Sequence, residues 1–200
     1  MDSVLPVRRA QCARCLRPQK TCICAWITPV AVATEVVILQ HPLETDNAKG
    51  SARLLHLSLP GSQLVHGETF TDRQWQALRA DRHTVLLYPD PPGTAASPSL
   101  AGTDLAQLRV IVLDGTWRKS RKMLHLDPRL QQLPRLALND APASQYHIRK
   151  AHRTDQLSTL EATCHALLQL GEPPAGLQRL LTAFDGFVAQ QSRYKIDHHA

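Results

Sequence analysis

At 200 residues with a formal net charge of +6, the chain is long enough to bury one sizeable core and carries an excess of basic side chains. No run approaches the roughly 20 apolar residues of a membrane span. The opening Met1-Asp2-Ser3-Val4-Leu5-Pro6 lacks the layout of a signal peptide, so the reading is of a cytoplasmic protein, without a membrane partner, whose thiols stay reduced. The charge is concentrated in two blocks. Residues 1–34 hold five basic side chains against Asp2, and residues 117–153 hold nine against Asp127 and Asp140. Such blocks suit a polyanionic partner, nucleic acid first, and equally describe a solvated basic face.

The first chemical feature lies at residues 12–24, where Cys12, Cys15, Cys22 and Cys24 follow the spacing C-x2-C-x6-C-x-C. In a reducing compartment four clustered thiols point to metal, and four thiolates make a closed tetrahedral zinc site. An iron–sulfur cluster or metal-free thiols are the alternatives. Zinc suits a segment too short for a core of its own, so residues 1–33 are read as a zinc-binding segment ahead of a catalytic domain at 34–200. Cys164 falls in a helical pattern and reads as core filler.

Residues 35–40 form a strand, and His41-Pro42-Leu43-Glu44 follows at its carboxyl end. A helix is expected over 52–57 with Ser51 as N-cap, then a short strand at 63–65, a helix at 72–80 and a strand at 84–88. A short helix at 102–108 leads into the apolar run Val110-Ile111-Val112-Leu113, too short for a helix and read as a buried strand. Asp114-Gly115-Thr116-Trp117 stands at its end, followed by Arg118, Lys119, Arg121 and Lys122. Ligands in open α/β sheets bind beyond the carboxyl ends of strands. The same tetrapeptide is also good turn-and-cap chemistry.

A helix to about Leu126 stops at Asp127-Pro128, and a strand over 135–138 precedes the cluster Ser144-Gln145-Tyr146-His147-Ile148-Arg149-Lys150. Ser158 and Glu161 make a capping box for a helix over 157–170, and a last helix covers about 177–191. Short strands alternating with helices give an α/β fold with a mostly parallel sheet. The chain contains no G-x-G-x-x-G, P-loop, G-x-S-x-G or H-E-x-x-H.

Taken in order, these pieces resemble the DTW-domain family, the bacterial tRNA-uridine aminocarboxypropyltransferases. The resemblance rests on the four cysteines, Leu39-Gln40-His41-Pro42 with Glu44, Ser51-Ala52-Arg53-Leu54 and Leu87-Tyr88-Pro89. It continues through Leu113-Asp114-Gly115-Thr116-Trp117-Arg118, Leu133-Pro134-Arg135, residues 144–150 and Leu157-Ser158-Thr159-Leu160-Glu161-Ala162. One departure is Gly50-Ser51, where members of the family often carry Asn-Thr.

The resemblance implies a SPOUT-like knotted α/β domain. It also implies transfer of the 3-amino-3-carboxypropyl group of S-adenosylmethionine to N3 of a tRNA uridine in the variable loop, releasing 5′-methylthioadenosine. A SPOUT-type tRNA methyltransferase and a non-catalytic zinc and RNA-binding adaptor are the competing readings.

On the family reading, Asp114, Thr116 and Trp117 are the catalytic candidates. Asp114 either accepts the uridine proton, its pKa raised by partial desolvation, or anchors the cofactor or a loop. Trp117 either stacks on a base or packs in the core. Leu113, Gly115, Tyr88, Tyr146 and His41 are expected around the cofactor. Arg118, Lys119, Arg149, Lys150 and Arg53 are expected against RNA, some of them against the cofactor carboxylate. The partners are tRNA and S-adenosylmethionine, and the protein is expected to act as a monomer.

Overall fold

The structure, a computed structural model, describes residues 10–79, 81–91, 93, 100, 102–139 and 157–196. Five strands form one sheet: β1 (Glu35–Gln40), β2 (Gln63–His66), β3 (His83–Leu87), β4 (Leu108–Asp114) and β5 (Arg135–Leu136), in the order β2-β1-β4-β3-β5. Every pairing is parallel. The register sets Gln40 opposite Asp114, Leu87 opposite Val112, and Leu86 opposite Arg135. All five carboxyl ends therefore emerge on one side.

The sheet is covered on both faces, as a parallel sheet must be. Val36, Ile38, Val110 and Val112 pack on one face with Leu54, Leu55, Leu160, Leu167, Phe184 and Phe187. These come from α1 (Ala52–Ser58), α5 (Thr159–Leu170) and α6 (Pro174–Ile196). Val37, Leu39, Ile111 and Leu113 pack on the other face with Trp75, Leu78, Met123 and Leu130. These come from α2 (Asp72–Arg79), α3 (Trp117–Leu126) and α4 (Pro128–Gln131). The period-2 alternation within β1 and β4 thus divides one apolar run between two half-cores.

The helix ends follow the local chemistry. Ser158 and Glu161 form the expected capping box on α5, and Gly171 closes that helix in the left-handed region at φ 96°. Asp127 ends α3 and at once caps α4, with Pro128 at the first helical position, an element the sequence reading did not include. Ser51 begins α1 without a side-chain cap. Its hydroxyl instead accepts from Leu160 N at 3.3 Å, tying α1 to α5. The expected helix at 102–108 is a single 3-10 turn at Leu105–Gln107, and β5 is two residues long.

The cysteine segment packs into the first half-core. Cys15, Ile23 and Val30 are buried there beside α6. Trp26 Nε1 donates to Gln190 Oε1 at 2.6 Å, and Gln190 Nε2 donates to Cys22 O at 3.2 Å. Gly186 makes room for that indole: a Cβ there would stand 2.1 Å from Trp26 Cζ3. Among the described residues no helix is long and apolar enough to cross a membrane.

Candidate functional site

Asp114 ends β4 and is 4% exposed. Gln40 Nε2, from the end of β1, donates to its Oδ2 at 2.9 Å, and Thr159 Oγ1, from the start of α5, donates to its Oδ1 at 2.6 Å. Its backbone carbonyl accepts from His41 N at 2.9 Å. One buried carboxylate therefore joins two central strands to the first turn of α5. Hydrogen bonds to a charged acceptor are the short, strong kind.

His41 is 2% exposed. Its Nδ1 accepts from Leu43 N at 3.1 Å, which leaves the proton on Nε2, and Nε2 faces Glu68 Oε1 at 2.5 Å. This hydrogen-bond pattern assigns the Nε2–H tautomer. Lys122, together with the weaker His41 contact, holds the Glu68 carboxyl below the usual carboxylate range. Glu44 is buried and accepts from Lys119 Nζ at 2.8 Å and Asn47 Nδ2 at 2.6 Å. The first turn of α3 is thereby pinned to the turn after β1. Gly115 permits the close approach, since a Cβ there would lie 3.1 Å from Lys119 Cβ and 3.6 Å from His41 Cβ.

Thr116 is the N-cap of α3, accepting from Lys119 N, so the cap chemistry and the site coincide. Trp117 is 45% exposed, which removes the core-packing reading. Its indole meets the Tyr88 ring edge-on at 5.7 Å, and the guanidinium of Arg135 lies over Tyr88 at 5.4 Å from the ring centroid. Burial pushes the Tyr88 phenol up, against the pull of Arg121 and Arg135. Leu113 is buried and Arg118 exposed. Arg53 lines a cavity of about 230 Å³ with Gln40, Glu44, Cys15 and Arg17.

Asp114, Gly115, Thr116, Trp117, His41 and Tyr88 thus gather at one end of the sheet. Tyr146, Arg149 and Lys150 lie outside the described residues. The sequence reading missed Thr159 and Gln40 as partners of Asp114, Glu68 as partner of His41, and Arg135 beside Tyr88. The available signal was adjacency alone: Gln40 precedes His41, and Thr159 follows the capping-box serine.

The four cysteine sulfurs lie within 4.8 Å of one another. Cys12 Sγ and Cys24 Sγ are 3.5 Å apart, and Cys15 Sγ and Cys22 Sγ are 3.7 Å apart. A disulfide would need about 2.05 Å, whereas tetrahedral Zn–S bonds of about 2.3 Å place sulfurs about 3.8 Å apart. The cluster can hold a metal ion. Backbone N–H groups of Cys15 and Arg14 pull the Cys12 thiol down to about 6, while burial and the neighbouring thiols push Cys24 up to about 12. Four thiols this close cannot all ionise without a cation among them.

A parallel α/β sheet with polar and aromatic groups gathered at its carboxyl ends, joined to a four-cysteine cluster, defines an α/β protein with a candidate site at the strand ends and a metal-competent segment. The DTW domain family matches residues 9–192, and the chain belongs to that family. It is 29% identical over 167 residues to tRNA-uridine aminocarboxypropyltransferase 2 of Mus musculus, covering 80% of this chain and 56% of that protein. It is 32% identical over 186 residues to the Drosophila melanogaster protein of the same name, covering 88% and 72%. The Arabidopsis thaliana tRNA-uridine aminocarboxypropyltransferase A is 28% identical over 139 residues, covering 58% and 51%. The chain spans a little over half the length of the mouse relative. No solved structure matches it.

Proposed function

We propose that the protein transfers the 3-amino-3-carboxypropyl group of S-adenosylmethionine to N3 of a uridine in tRNA. The observation that carries this reading is membership of the DTW family over residues 9–192, beside relatives whose names state that activity. The same family supports a SPOUT-like knotted domain at 34–200 behind a zinc segment at 1–33. A single chain acting in the cytoplasm, with the variable loop of tRNA as target, completes the proposal.

The sulfonium cosubstrate supplies an electrophilic carbon: uridine N3 gives up its proton to solvent and forms the N–C bond, the C–S bond breaks with its electron pair going to sulfur, and 5′-methylthioadenosine leaves. Catalysis of such a transfer is largely positioning. Trp117 and Tyr88 offer aromatic faces for adenine or uracil, with Leu113, Gly115, His41 and Tyr146 around the cosubstrate. Thr116 sets the first turn of α3 behind them.

Asp114 takes the holding role: both oxygens already accept from buried donors, which favours an anchor over a proton acceptor. Arg53, Arg118, Lys119, Arg149 and Lys150 meet RNA phosphates. Lys119 reaches them from its Glu44 contact. Cys12, Cys15, Cys22 and Cys24 hold zinc, which folds the segment rather than reacting.

S-adenosylmethionine labelled separately in its methyl and carboxyl groups tests the reading. The carboxyl label is expected in tRNA and the methyl label in the small-molecule product. Methyl label in tRNA identifies a methyltransferase, and neither label in bound tRNA identifies an RNA-binding adaptor.

A further inference from the structure

Two arginines of the sheet are buried, and they differ in how they are satisfied. Arg109, 4% exposed at the amino end of β4, donates from Nε and Nη2 to Glu35 at 2.9 and 2.8 Å, and from Nη1 to Leu78 O at 2.6 Å. It is a paired structural arginine. Arg135, 9% exposed on β5, is in none of the ion pairs among the described residues, and its buried Nη1 has no hydrogen-bond partner.

A buried donor left unmade costs its full desolvation, more so on a charged group. Burial works against the charge of Arg135, opposed by Tyr88 and Asp90. An arginine kept in this condition is suited to an anion brought by a ligand. Its position agrees: backbone bonds from Leu86 N to Pro134 O and from Tyr88 N to Leu136 O fix β5 beside β3. Its guanidinium lies over Tyr88, whose other neighbour is Trp117.

We infer that Arg135 binds the carboxylate of the methionine moiety of S-adenosylmethionine, so that the group to be transferred is recognised by its own charge. This rests on the function proposed above and narrows it. The exposed Arg118 and the Glu44-bound Lys119 are then left for RNA. An RNA phosphate is the other source of an oxyanion. The guanidinium of a residue buried to nine-tenths, lying over the Tyr88 ring, suits a small planar carboxylate better than a polymer backbone. Arg135 would act in specificity, through a bidentate fork that lysine reproduces only in part.

The test compares S-adenosylmethionine with its decarboxylated analogue, which keeps the sulfonium, adenosine and amine. Binding is measured by calorimetry on the full chain, for wild type, Arg135→Gln and Arg135→Lys, with tRNA affinity measured in parallel. Wild type is expected to prefer S-adenosylmethionine by roughly ten- to a hundredfold, the range of a charge-assisted hydrogen bond. Arg135→Gln should bring that ratio close to one while binding the decarboxylated analogue as wild type does, and Arg135→Lys should restore part of it. tRNA affinity should be unchanged.

Retention of the preference by Arg135→Gln overturns the assignment, as does loss of both compounds by both variants, which would make Arg135 structural. A fall confined to tRNA affinity overturns it in favour of phosphate. Wild type that binds S-adenosylmethionine without preference overturns this inference alone; wild type that binds neither compound overturns the proposed function with it.

Discussion

Replacing Thr159 by valine keeps the shape of the side chain and removes one donor. That donor lies 2.6 Å from Asp114 Oδ1, and both residues are buried, so water is not at hand to replace it. A hydrogen bond to a charged group contributes about 1.5–3 kcal/mol. Valine opens no cavity, so no packing loss adds to that figure. Gln40 still holds Oδ2 at 2.9 Å, which places the expected cost near 2 kcal/mol, toward the lower part of the range.

With a urea slope of about 2.5 kcal/mol/M, the unfolding midpoint should fall by about 0.8 M. The same substitution made in Asp114→Ala should cost much less, because the acceptor is already gone. The coupling between the two sites should be at least about 1 kcal/mol. A midpoint within about 0.2 M of wild type, or costs that simply add, would refute the claim that this carboxylate is held by α5.

Other perturbations are equally direct. Trp117→Ala should abolish transfer while moving stability by less than about 1 kcal/mol, because the indole is exposed; circular dichroism melts and labelled-tRNA assays read the two effects separately. Lys119→Met removes the ammonium from the buried Glu44 carboxylate while leaving its bond from Asn47, and should cost about 3 kcal/mol in urea unfolding; a neutral effect contradicts the pinning of the two turns. Cys12→Ser should lower bound zinc from one per chain, read by atomic emission on protein purified without chelators, and a full complement of metal would count against the four-sulfur site.

Asp127 gives a pH signature. Burial pushes its carboxyl up, but Arg129 and Trp75 outweigh burial and hold it below its ordinary value. The folded pKa therefore lies below the unfolded one. The stabilisation is complete above about pH 4 and is lost as pH falls through the folded value. Asp127→Asn should flatten the acid limb of the stability curve, and an unchanged slope below about pH 4 refutes the assignment.

Local signals carried far in this chain. The apolar runs before Gln40 and Asp114 announced β1 and β4, and Ser158 with Glu161 announced the start of α5, because an apolar strand and a capping box are written within a few residues. What escaped was set by tertiary pairing. Asp114 accepts from donors 74 and 45 residues away, and nothing beyond their places beside His41 and Ser158 marks Gln40 and Thr159 as those donors. Ser51 has the residue type of a cap, yet spends its hydroxyl on Leu160. Arg135 read as one more strand residue, since its unmet donor becomes visible only when the neighbouring strand is in place.

The link from Asp114 to Thr159 also sets an order of events during synthesis. A chain leaving the ribosome can pair β1 with β4, and so bring Gln40 to Asp114, before the first turn of α5 has been made. At 5–20 residues per second, the 45 residues between Asp114 and its hydroxyl donor take roughly 2–9 s. Throughout that interval the carboxylate at the working end of the sheet lacks the Thr159 hydroxyl. A nascent chain arrested just before residue 159 would therefore expose a nearly complete sheet with an unfinished site, open to quality-control proteases at a point that the finished protein ties down.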